Sequence, residues 1–140
     1  MKYKTEDEIV DLVSRFESGT IAREDWRHAE HLIVALYYIC HSPGLSDAYK
    51  KMRRNLLNHL KAVGVDLSKE MPYHETITIF WMRMVLKFKE SKNGCLIVEL
   101  TNELLDSNFD KDLPLKYYSR ELLFSDRARA EFVEPDLKEF

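Results

Sequence analysis

Glycine and proline are scarce, four of each in 140 residues, too few turn formers for a chain of many short strands. Cysteine is scarcer still. Cys40 and Cys95 stand far apart in apolar runs, outside any CxxC unit, so they read as reduced core thiols rather than a disulfide framework or zinc ligands. No apolar run reaches the roughly 18 residues that a membrane helix needs. The first residues, Met-Lys-Tyr-Lys-Thr-Glu-Asp-Glu, turn acidic at once and lack an apolar signal core, which makes the cytoplasm the expected compartment. Neither sign of charge dominates. A net charge of −3 from 21 basic and 24 acidic side chains gives no pull toward nucleic acid or an anionic membrane.

What is present is enough apolar side chain, 45% of the sequence, to build one core, and residues 1–140 read as one domain. The apolar spacing is helical almost throughout. Thr5 and Glu8 have capping-box spacing, Ile9, Leu12, Val13 and Phe16 make one stripe, and Gly19 is a stop. A second helix is expected from Glu24 or Asp25 to about His41, broken by Ser42-Pro43-Gly44. A third runs from about 46 to 63 with Gly64 beyond it. Its stripe is Tyr49, Met52, Leu56, Leu60 and Val63, its other face carries Lys50, Lys51, Arg53, Arg54 and Lys61, and that basic face reads as solvated. His59 lies close to the stripe and reads as a packed or rim histidine.

Residues 65–72 read as a loop. From Tyr73 the segment Thr76-Ile-Thr-Ile-Phe-Trp81 alternates like a strand, but the run to about Glu90 is too long for one and suits a buried helix opened after Pro72. A fifth helix is expected over 96–105. Pro114 and Ser125-Asp126 open shorter ones, and the tail after Asp136 reads as loose. The expectation is an all-α bundle of five to seven helices.

The chemistry concentrates in two stretches. On a helix begun at Glu24, the residues Glu24, His28 and His31 fall at i, i+4 and i+7, one face, which continues through Ala35 and Tyr38. Imidazole nitrogens bind zinc, iron, nickel or manganese, and the small Ala35 leaves room beside them. A third ligand would come from His74 or Glu75. Three ligands with an open position would make a catalytic centre, with Glu75 or Glu30 as general base on a bound water. The competing reading is structural: the histidines hydrogen-bond nearby carboxylates and backbone, and Tyr-His-Glu-Thr caps the fourth helix. HxxH alone is a weak signal. Arg83, inside an apolar stretch, calls for an anionic partner, either a structural carboxylate or a bound anionic ligand. Thr78 and Tyr38 are candidates to line a ligand pocket, against back-bonding along the helix for the threonine and a core rim for the tyrosine.

Three blocks, Trp26-x-His28-x-x-His31-Leu32, Tyr73-His-Glu-Thr-x-Thr78, and Tyr118-Ser-Arg-Glu-x-Leu-Phe-Ser-x-x-Ala-Arg129 followed by Val133-x-Pro-Asp-Leu137, together resemble a family of small, uncharacterised, helical bacterial proteins. The resemblance spans about residues 20–137. It implies an all-helical fold and a shared site that draws Arg120 or Arg129 toward the histidines, but it implies no activity. Three functions remain open: a metal-dependent small-molecule enzyme, a small-ligand-binding module without chemistry, and a helical interaction protein or homodimer.

Overall fold

A computed structural model describes residues 3–92 and 94–140. Helix α1 (Glu6–Glu17) starts from the expected capping box, in which the Thr5 hydroxyl accepts from the Glu8 N–H at 3.3 Å and Glu8 accepts from the Thr5 N–H at 3.0 Å. It buries Ile9, Leu12, Val13 and Phe16, each worth about 1.5–3 kcal/mol when taken from water. Gly19 follows at φ 72, a left-handed conformation that suits glycine. An added Cβ there would also lie 2.9 Å from that of Ala62, so the ends of α1 and the third helix approach closely.

Helix α2 (His28–Cys40) is the centre of the fold and packs against α1, α3 (Leu45–Ala62), α4 (Glu75–Glu90) and α5 (Ile97–Leu105). Its residues 32–36 are all buried, as a helix with neighbours on most sides requires. Two short helices, α6 (Arg120–Leu123) and α7 (Asp126–Ala130), and two 3-10 turns, Arg23–Asp25 and Leu113–Lys116, complete an all-α domain around one core. No strand occurs among the described residues, and none of their helices is long and apolar enough to cross a membrane.

Three expectations change. The second helix does not begin at Glu24: residues 23–25 form the 3-10 turn, Trp26 and Arg27 are extended, and the helix starts at His28. The break lets the Trp26 ring turn inward and stack on Phe16, with centroids 4.2 Å apart and parallel planes. Glu24 is therefore exposed and off the helix. The buried line of α3 is also offset, to Ala48, Met52, Asn55 and His59. Asn55 is accepted inside because its amide donates to the Tyr38 hydroxyl at 2.9 Å, and the offset leaves Leu56 and Leu60 half-buried.

The third change is the tail, which is docked rather than loose. The Leu137 N–H donates to the Tyr117 carbonyl at 2.9 Å, the Asp136 carboxylate accepts from the Ser119 N–H and hydroxyl, and Phe140 packs on Phe80 and Tyr117.

Candidate functional site

Trp26 and Tyr73, His74, Ile77 and Thr78, from two of the three sequence blocks, line one cavity of about 270 Å³ with Leu56, His59, Leu60 and Pro72. The break before α2 supplies the tryptophan. The offset of α3 supplies the two leucines and His59, and the first turn of α4 supplies His74, Ile77 and Thr78. The walls are mainly apolar, and their polar groups differ in what they can still do.

His74 is fully committed. Its Nδ1 accepts from the Ile77 N–H at 3.2 Å, making it the N-cap of α4, and its Nε2–H donates to the Leu123 carbonyl at 2.6 Å. One nitrogen accepts and the other donates, which is the neutral tautomer. Burial, the leading influence, lowers its pKa, in keeping with that state. The Thr78 hydroxyl donates back to the His74 carbonyl at 2.9 Å, and Tyr73 donates to Glu75 at 2.8 Å.

His59 is different. It is 3% exposed, its Nδ1 is buried without a hydrogen-bond partner among the described residues, and burial lowers its pKa. Its ring lies 5.5 Å from that of Trp26. Leaving a buried polar atom unbonded costs about 1–3 kcal/mol, so a small opening that admitted a ligand group to this nitrogen would gain a hydrogen bond that the protein itself does not supply.

The other candidate residues lie elsewhere. The His28 Nε2–H donates to the Phe109 carbonyl at 2.7 Å, and the ring meets Trp81 edge-on at 4.7 Å. His31 sits behind Trp26, with centroids 6.1 Å apart. Its Nε2 is buried without a hydrogen-bond partner among the described residues, and burial together with the neighbouring His28 lowers its pKa to about 4. Ala35 is fully enclosed in the core. Glu30 closes the first turn of α2, accepting from the Arg27 N–H at 3.1 Å and pairing with the Arg27 guanidinium at 3.3 Å. Glu30 and His28 border a separate hollow of about 470 Å³, but both already have protein partners there.

Glu75 turns away from the histidines to accept from Tyr49 and Tyr73 and to pair with Arg53 at 3.6 Å. Burial raises its pKa. Tyr38 donates to Glu17 at 2.7 Å on the α1 side. Arg83 packs against the rings of Phe132 and Phe140. Arg120 and Arg129 are exposed, although the charge of Arg129 acts on His74. Among the described residues no three His, Cys, Asp or Glu side chains gather as metal ligands do, and the structure does not bring His28, His31 and His74 onto a common point.

At this cavity the two blocks meet through Trp26 and the residues about His74, while His28 and His31 are not among its lining. Trp26, which opens the first block, is the contact, and His59 lies in neither block. The one visible signal for His59 was its place beside an apolar stripe. A scan against models of protein families, a search of curated proteins and a search of solved structures each return no match.

Proposed function

We propose that the chain is a small-molecule-binding module whose ligand is a neutral, fragment-sized compound with a ring and one hydrogen-bonding group. The Trp26 cavity carries this reading: its lining includes His59, whose buried Nδ1 has no partner among the described residues. Neutral imidazoles at His59 and His74, apolar walls from Leu56, Leu60 and Ile77, and a tryptophan ring favour a flat uncharged body. A neutral imidazole nitrogen serves as donor or acceptor according to its tautomer, so the ligand's polar group can be a hydroxyl, a ring N–H or a carbonyl. The expected metal centre has less support, because His28 and His74 already spend nitrogens on backbone carbonyls.

The two tryptophans give a direct test. In nitrogen-15 NMR spectra, titration with indole or phenol should move the Trp26 side-chain N–H signal saturably and leave that of Trp81, in the core, in place. His59→Phe should weaken binding by roughly three- to tenfold, the worth of one hydrogen bond. Both signals drifting together without saturation, or equal affinity in the variant, overturns the reading.

A further inference from the structure

Arg83 is the one cation of α4 set within its apolar stretch, and its placement is unusual. The guanidinium carbon lies 4.4 Å from the ring centre of Phe132 and 5.2 Å from that of Phe140, and the two rings are 6.4 Å apart and nearly parallel, at 25°. Stacking of this kind satisfies the face of a guanidinium. Its five N–H bonds point outward in its own plane, and its nitrogens are not sealed off, so solvent or a ligand can reach them. Among the described residues none accepts from them: no carboxylate lies within 4.0 Å and no hydrogen bond is formed. Glu75, about two turns earlier on the same helix, is occupied by Tyr49, Tyr73 and Arg53.

The same side chain lines a cavity of about 230 Å³ with Leu45, Ser46, Tyr49, Ile79 and Met82. The other lining residues are largely apolar, with Ser46 as a second polar residue. The Tyr49 hydroxyl is already spent on Glu75.

We infer that this cavity is a second binding site, separate from the Trp26 cavity, that takes a small monocarboxylate with a short apolar body. A carboxylate matches the in-plane fork of a guanidinium with two parallel hydrogen bonds, and one negative charge matches the one cation that lines this cavity. Leu45, Ile79 and Met82 then cover the hydrocarbon end. A phosphate would bring more charge than one arginine neutralises, and no hydrocarbon for those walls.

NMR titration of the full chain with hexanoate, hexan-1-ol and inorganic phosphate tests this. Hexanoate should shift the amides around 45–49 and 79–83 saturably and bind at least about tenfold more tightly than either control. Arg83→Met should cost about tenfold or more in hexanoate affinity. Arg83→Lys, which keeps the charge and loses the fork, should cost several-fold, and it decides the matter if the methionine variant does not fold. His59→Phe should bind hexanoate like the wild type, so failure of the neutral-ligand reading leaves this one standing. Equal binding of hexan-1-ol, phosphate binding as tight as hexanoate, or unchanged affinity in Arg83→Lys overturns it.

Discussion

His31 keeps a nitrogen inside the protein with no partner among the described residues, and that makes it a pH-dependent weak point. Burial first, and the nearby His28 second, lower its pKa to about 4, against about 6.5 in an unfolded chain. The unfolded state therefore takes up a proton as pH falls below 6.5, while the native state stays neutral until about 4. The stability present above 6.5 is lost progressively across that window. Between pH 7 and pH 5 the loss from this one group is about 2 kcal/mol. His59 and His74 are shifted in the same direction and steepen the fall. Urea unfolding at the two pH values should show His31→Leu losing about 2 kcal/mol less stability than the wild type between them. Parallel losses in the two proteins would mean that His31 titrates normally. The sequence located this histidine but not its state. Spacing puts His28 and His31 near one another, whereas burial without a partner depends on Trp26 folding back over the chain.

Helix α4 shows how one side chain sets an element's start and its place in the fold. His74 caps the helix through Nδ1 and ties it to α6 through the Leu123 carbonyl. Losing the cap costs about 1 kcal/mol, and the buried Leu123 bond adds a similar amount. His74→Ala should thus lower the unfolding free energy by about 2–3 kcal/mol. His74→Asn, a good cap too short to reach Leu123, should recover roughly half, as read by denaturant midpoints. Equal losses in the two variants would remove the capping role. Caps made of local contacts were legible beforehand, as at Thr5 and Ser125, because each acts within four residues. The break before α2 was not, because Trp26 leaves the helix for a partner ten residues back on α1. The offset of α3 was hidden for the same reason: Asn55 enters the core only because Tyr38 meets it there. Those two departures shape the cavity, so helix content could be read from periodicity while the site could not.

Over the whole molecule, the C-terminal segment acts as a strap across α4. The Thr76 hydroxyl donates to the Glu131 carbonyl at 3.0 Å and accepts from the Val133 N–H at 3.2 Å, and the buried Tyr118 hydroxyl donates to the Val133 carbonyl at 2.7 Å. Beyond these lie the Ser119–Asp136 pair and the Tyr117–Leu137 bond. Sequence alone suggested a loose end after Asp136 because the four residues Leu-Lys-Glu-Phe are too few to show a helical or strand period. Their anchors are single backbone groups and one carboxylate, which leave no pattern. Removing residues 133–140 uncovers the Tyr118 hydroxyl and strips Phe140 from Phe80 and Arg83. The exposed Ser119–Asp136 bonds exchange for water, so the loss is carried by the buried Tyr118–Val133 and Thr76–Val133 bonds at about 0.5–1 kcal/mol each and by the Val133 burial at about 1.5 kcal/mol, about 3 kcal/mol in all. For a domain of this size that lowers the melting temperature by roughly 6–12 °C, with helical circular dichroism at 20 °C nearly unchanged. The truncated chain should also lose hexanoate affinity, because the rings that hold the Arg83 guanidinium would no longer both be present. A melting temperature within about 2 °C of the intact chain would show the strap to be dispensable, since several native bonds cannot be lost at so small a shift.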